Sequence, residues 1–388
     1  MALERTPLAP EALSPAVAKA VGPSAPAPVK MMAARGLAPM GPKDLVTALY
    51  QLSLDADEKI AQAATQSAEK LPPKVLSAAL GEALDPRVLD YFALRVVGDA
   101  TLVERVLLNS AVADETFVSL AEQLSEASLE ILAGNQQRLL RHPQIIEAIY
   151  FNKRARMSTV DRLLEMAVRN NLTLDVPQYK QLVAQIMGSA AKEPPAAEPV
   201  EDAASTDPEA PLQMAEEITA EGEQFDEVFE ALIDETWDQG PLGNLEFDAE
   251  EQGKKQVQIA ELSVNARIRL ATLGSVFHRT VLIRDTNRLV AMAAIESPAV
   301  SEQEAARHAG NRGLSEDVIR YICGRRDWQK SYQIKLNLVN NPKCPLAHAM
   351  KLLSHLRAND VRMISRSKNV PAAIARAAKQ HLQRKSGG

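Results

Sequence analysis

The sequence predicts an all-α protein, an α-solenoid of short helical repeats in two blocks, and three observations carry that prediction. Aromatic residues make up only 4% of the 388 positions while Ala and Leu abound, and small aliphatic side chains suit closely packed helices better than sheets. Apolar residues recur at spacings of three and four, which places them on one helix face. Similar polar turns recur along the chain, each followed by a new apolar stripe. A chain of this length outgrows one compact core unless it extends in one dimension, as stacked repeats do.

Residues 1–40 are rich in Pro and Ala (Pro7, Pro10, Pro15, Pro23, Pro26, Pro28, Pro39) and carry no sustained apolar period. That composition predicts a disordered tail with a transient helix near Ala12–Val21. Residues 41–188 predict an N-terminal helical-repeat block. Leu45, Ala48, Leu49 and Leu52 form one stripe, Leu76, Leu80 and Leu84 another, and Phe117, Leu120, Leu124, Leu129 and Leu132 continue the series. Breaks fall at Leu71-Pro-Pro, Asp85-Pro86, Asn109-Ser110, His142-Pro143 and Asn152-Lys153.

Residues 189–252 read as an acidic, disordered linker, and residues 253–384 as a basic C-terminal helical-repeat block. From Ala191 to Glu250 there are 19 acids against one base, whereas Glu251–Gly388 holds 24 Lys and Arg against 10 acids. The overall net charge of −6 therefore conceals about −18 beside about +14.

In the C-terminal block four segments lie over one another: Ser297-Pro-Ala-Val-Ser301, Asn311-Arg-Gly-Leu-Ser315, Asn341-Pro-Lys-Cys-Pro345 and Ser367-Lys-Asn-Val-Pro371. Each is a polar turn, an apolar residue, then Ser or Pro before a helix. Ser301 with Glu304 has capping-box spacing, and Ser315 caps a first turn containing Glu316 and Asp317. Pro345 and Pro371 fit a first helical position, where a missing N–H costs nothing. One short helix cannot bury its own stripe, so such units must stack.

These turns, with Leu282-Ile-Arg-Asp-Thr-Asn-Arg-Leu-Val290 and Lys335-Leu-Asn-Leu-Val-Asn-Asn-Pro-Lys343, resemble HEAT/armadillo-like repeats of the leucine-rich-repeat-variant type. The C-terminal half also looks like uncharacterised repeat proteins of myxobacteria and their relatives. The resemblance implies a fold and a binding mode, and brings no catalytic residues with it.

Within the linker, residues at about 221–238 form one amphipathic helix. Phe225, Val228, Phe229, Leu232, Ile233 and Trp237 share a face, with acids opposite. Such a stripe either packs on an adjacent repeat or docks in a groove, on a partner or on the chain's own basic block.

No chemistry-bearing motif emerges. Gly240-Pro-Leu-Gly243 lacks the Lys-Ser/Thr of a phosphate loop, and neither a Gly-x-Ser-x-Gly elbow nor His-Glu-x-x-His occurs. Cys344 and His348 stand four apart with His355 beyond, short of a metal set. Cys323, in an apolar run, reads as core, and two cysteines are too few for a disulfide framework. The expectation is a non-enzyme without cofactor or small-molecule substrate. No run of about 18 apolar residues suggests a membrane span, and the opening Met-Ala-Leu-Glu-Arg-Thr-Pro has neither the basic nor the apolar region of a secretory signal, so a cytoplasmic location is expected.

Function then rests on surfaces. The leading expectation is a scaffold or adaptor for unidentified protein partners, self-regulated by its acidic linker. The alternative is nucleic-acid binding through Arg320, Arg325, Arg326, Lys330, Lys335, Lys343, Lys351, Arg357, Arg362, Arg366 and Lys368, with Arg376 and Lys379 beyond them. Few aromatics (Tyr321, Trp328, Tyr332) stand ready to stack on bases. An enzyme on helical repeats, like the HEAT-like glycosylases, rests on fold analogy alone.

Overall fold

The computed structural model describes residues 3–22, 24–177, 179, 183, 229, 232 and 256–386. Every regular element among them is a helix. Two compact units emerge, Met1–Asp175 and Val176–Gly388.

In the first unit the helices are α1 (Pro15–Val21), α2 (Ala27–Ala34), α3 (Pro42–Leu52), α4 (Glu58–Glu69), α5 (Pro73–Leu80) and α6 (Pro86–Ala93). They continue as α7 (Ala100–Leu108), α8 (Asp114–Ala121), α9 (Glu126–Ala133), α10 (Gln136–Arg141), α11 (Gln144–Phe151) and α12 (Met157–Arg169). The helices α3, α5, α7 and α9 pack in succession, and so do α6, α8 and α11. The helices of these two series thus bury their stripes against the equivalent helix of the next repeat, the stacking expected of a solenoid. Side chains of Asp57, Asp85, Asp99 and Asn135 cap α4, α6, α7 and α10, each such cap contributing roughly 1 kcal/mol.

The tail expected at residues 1–40 is instead part of this unit. Both α1 and α2 pack on α3, and Val17, Ala33 and Ala34 are fully buried. Ahead of them, Leu8 N donates to Gln51 Oε1 at 2.8 Å, and Tyr50 Oη donates to the Thr6 carbonyl at 2.9 Å. Arg87 reaches Thr6 Oγ1 at 3.0 Å. Alanine-rich helices expose little apolar surface as sequence, yet they approach α3 closely because nothing larger keeps them apart. Their prolines sit in the first helical positions, where no N–H is lost. Gly36, at φ +69°, ends α2 in a left-handed cap, with Leu37 N bonding back to the Met32 carbonyl at 3.1 Å. Replacing the buried Leu8 with Ala is expected to cost about 2–3 kcal/mol in urea unfolding; no measurable change would mean that the segment does not hold to the unit.

In the second unit the helices are α13 (Val264–Leu273), α14 (Val276–Leu282), α15 (Arg288–Glu296), α16 (Glu302–Gly310) and α17 (Glu316–Gly324). Then come α18 (Tyr332–Asn340), α19 (Leu346–Leu353), α20 (Ala358–Arg366) and α21 (Ala372–Ser386). Here α13, α15 and α17 pack in succession, α16 lies on α18 and α19 on α21. Ser301 Oγ accepts the Glu304 N–H at 3.2 Å, but the Glu304 side chain turns inward rather than closing the capping box. Pro345 stands at the cap of α19, one residue ahead of the helical position expected for it, and Pro371 likewise precedes Ala372.

The polar turns are one repeated device. In Asn109–Ala113, Asn152–Arg156, Ser297–Ser301, Asn311–Ser315, Asn341–Pro345 and Ser367–Pro371 the first side chain accepts the N–H two residues on, at 2.8–3.4 Å. Three of the asparagines also reach the preceding repeat. Asn109 Nδ2 donates to the carbonyls of Leu80 and Glu82 at 2.7 and 2.9 Å, Asn152 Nδ2 to Ala121 and Leu124 at 2.7 and 3.1 Å, and Asn341 Nδ2 to Ala309 and Asn311 at 2.9 and 3.2 Å. These acceptors lie at or just beyond helix C-termini, where the last turn has no partner of its own. The fourth residue of the turn is apolar and, in Val112, Ala155, Leu314, Cys344 and Val370, buried.

Candidate binding surface

Among the described residues of the second unit, several acids are committed to bases. Asp285 faces Arg267 at 2.6 Å, Asp317 faces Arg288 at 2.6 Å, Glu316 faces Arg320 at 2.6 Å and Asp327 faces Lys330 at 2.9 Å. Lys330 holds the Asp327 carboxyl below the ordinary carboxylate range, and Arg288 does the same for Asp317. Two bases leave the surface altogether. Arg269 is fully buried, and Arg279 spans the core to Glu304 through two bonds of 2.9 and 3.1 Å, with a third N–H on the Gly274 carbonyl at 2.8 Å.

The sequence-predicted basic residues divide accordingly. Arg320 and Lys330 are exposed but ion-paired. Lys343 is half-buried and turned onto the carbonyls of Gly313 and Leu314, and Lys335 is half-buried on α18. Arg362 is exposed and donates to Asn359 Oδ1 at 3.4 Å. Arg326, Lys351, Arg366 and Lys368 are exposed, with no carboxylate facing them among the described residues. Arg357 lies over the Tyr332 ring at 4.7 Å.

Arg325 belongs to an aromatic cluster. Its guanidinium stands 5.4 Å from the centre of the Trp328 ring and 5.8 Å from that of Tyr321, the two rings meeting edge to face at 6.1 Å. Burial raises the Tyr321 hydroxyl above its ordinary pKa, and Arg325 partly offsets this. The cluster is built on the turn after α17, where a short 3₁₀ helix, Trp328–Lys330, lengthens the usual five-residue connection.

Among these bases stand apolar side chains that the described residues leave exposed. Leu346 and Met350 on α19 are each 46% exposed, and Met363 on α20 is 63% exposed. Met350 precedes Lys351, and Met363 follows Arg362, so apolar and basic groups share the outward surface of each helix. This mixture was not legible as a pattern, because helical spacing alone does not reveal which methionines the neighbouring repeat leaves uncovered.

For the expected docking helix, Phe229 and Leu232 are helical and buried, with Arg269 of α13 5.0 Å from the centre of the Phe229 ring. That contact is to a helix of the chain's own basic block, so it is common to packing on a repeat and to docking in cis. Phe225, Val228, Ile233 and Trp237 lie outside the described residues, as does most of the 189–252 linker.

The two cysteines, assigned separately from sequence to a core helix and a turn, meet with sulfurs 3.6 Å apart. Among the described residues no three His, Cys, Asp or Glu side chains converge as metal ligands, and no helix is long and apolar enough to cross a membrane. In the first unit a surface groove of about 680 Å³ is lined by Lys74, Arg105, Glu82 and Asp99; its mixed charges select no class of ligand. No family model, curated protein or solved structure matches the chain.

Proposed function

We propose that the chain is a non-enzymatic helical-repeat scaffold that binds a protein partner through its C-terminal unit, the partner presenting acidic and apolar side chains. The observation that carries this reading is the pairing of exposed Met350 with Lys351 and of exposed Met363 with Arg362 and Arg366. Apolar contacts flanked by unpaired bases suit an acidic protein surface: burial supplies affinity while the charges guide approach. Repeat stacking provides the extended surface on which such a partner can lie. The HEAT/armadillo-like resemblance of the turns accords with this mode of binding.

Nucleic-acid binding is the second reading, favoured by the Arg325–Tyr321–Trp328 cluster beside exposed Arg326. Rings flanked by bases can stack on nucleobases while the charges follow phosphates.

The two readings separate on variants of the full chain. Changing Met350 and Met363 to Ser, and in a second variant Arg362 and Arg366 to Glu, is expected to remove the same proteins from an affinity capture made with the wild type. Capture unchanged in both variants would sink the scaffold reading for this surface. In parallel, binding of DNA and RNA oligonucleotides is measured across a salt series. Affinity that falls by orders of magnitude between about 50 and 200 mM salt, and is lost in Trp328→Ala, would transfer the assignment to nucleic acid.

A further inference from the structure

The chain holds two cysteines among 388 residues, and the fold places them side by side. Cys323 lies in the last turn of α17, and Cys344 in the fourth position of the Asn341–Pro345 turn, where other repeats carry Val112, Leu314 or Val370. That position normally supplies an apolar contact within the stack. Here it brings Cys344 Sγ to 3.6 Å from Cys323 Sγ, with both side chains buried. Gly324 and Pro342 beside them are exposed, so the pair lies just beneath the surface.

We propose that Cys323 and Cys344 form a reversible intramolecular disulfide on exposure to a hydroperoxide, making the pair a site of oxidative modification. The sulfurs must close from 3.6 Å to about 2.05 Å. The shared hydrogen bond pushes the Cys344 thiol up, burial adding to it, and pulls Cys323 down, which marks Cys323 as the first thiolate. With hydrogen peroxide, the Cys323 thiolate attacks one oxygen and breaks the O–O bond. The product is a sulfenic acid, and the departing hydroxide takes up a proton to leave as water. Cys344 sulfur then attacks the sulfenic sulfur, forming the S–S bond as the second water leaves with the Cys344 proton. Two thiols lose two electrons, and one peroxide becomes two waters.

The closed loop contains Arg325, Arg326, Lys330, Lys335 and Lys343. Oxidation therefore stiffens part of the basic surface, a consequence that rests on the binding reading above; the cross-link itself does not.

The test uses the full chain and no partner. Protein is exposed to excess hydrogen peroxide, quenched, unfolded, alkylated with iodoacetamide and weighed intact. The expected product is a monomer lighter by two hydrogens that takes up no alkyl group, yields a 323–344 cross-linked peptide and reverts with dithiothreitol. A rise in Tm of roughly 5 °C accompanies it, since the closed loop restricts the unfolded chain. Two alkylated thiols after peroxide, separate sulfinic acids, or cross-links only between chains would overturn the proposal. Cys344→Val, which places there the residue found at position 370, should fold normally and keep one alkylatable thiol.

Discussion

Replacing Arg279 with Met is expected to destabilise the C-terminal unit by about 4 kcal/mol, the usual scale for breaking one partner out of a buried ion pair. Arg279 and Glu304 are almost wholly removed from solvent, their side chains 3% and 1% exposed. Each guanidinium edge is committed, two N–H groups to the Glu304 carboxylate and one to the Gly274 carbonyl. Methionine keeps the apolar stem but removes both guanidinium bonds from Glu304, leaving His308 Nε2 at 3.8 Å as its nearest basic group among the described residues. Urea unfolding followed by circular dichroism reads the loss. Changing Glu304 to Leu in the same chain should recover most of it, because the cost lies in the unpaired charge rather than in the absence of the bridge. A loss below about 1 kcal/mol for Arg279→Met would show that water reaches the carboxylate.

The same group sets an acid limit. Burial pushes the Glu304 carboxyl up, but His308 and Arg279 more than reverse this and hold it at about 2, against an ordinary 4.5. A carboxyl depressed in the folded state stabilises the fold above its unfolded pKa. Its contribution of about 3 kcal/mol is therefore fully present above roughly pH 5 and is lost as pH falls toward 2. In Glu304→Gln the acid limb of the stability curve should flatten over that interval, since the group no longer titrates.

What the sequence revealed follows from how each feature is encoded. The C-terminal turns were readable because Ser297, Asn311, Asn341 and Ser367 recur with an apolar residue three positions on. Asn109 and Asn152 make the same bonds, but Ala113 and Arg156 replace the Ser or Pro that marks the helix start, so those turns read only as breaks. Of residues 15–34 only a transient helix near Ala12–Val21 was expected, and the helix over Ala27–Ala34 and the packing of both were missed, because Ala carries little hydrophobic signal although Ala33 and Ala34 are fully buried. For the surface, a list of bases cannot separate Arg320, neutralised four residues away by Glu316, from Arg366, which faces no acid among the described residues. Nor does sequence separation hint that Cys323 and Cys344 adjoin, or that Arg279 would find Glu304 across two helices.

Asn341 offers the sharpest test of the repeated turn, because one atom exchange inverts its role. Its Nδ2 donates two hydrogen bonds, to the Ala309 and Asn311 carbonyls, while its Oδ1 accepts from Lys343 N at 3.0 Å. The residue is 1% exposed, so neither carbonyl regains a water partner if the amide goes. Asn341→Leu should cost about 2–3 kcal/mol, from the stranded carbonyls and the lost turn bond. Asn341→Asp is expected to do more damage at neutral pH, because a carboxylate oxygen then points at two carbonyl oxygens in a site that also disfavours charge. Protonation restores one donor, so the folded-state pKa of that aspartate must rise above its unfolded value near 4. Stability of Asn341→Asp should thus be highest at low pH and decline as pH rises through the unfolded pKa and on to the folded one. The acid limb of Glu304 runs in the opposite direction, so the comparison is made against the wild type at each pH. Equal pH profiles for Asn341→Asp and wild type would mean that water occupies the turn, and that the amide is not what joins neighbouring repeats.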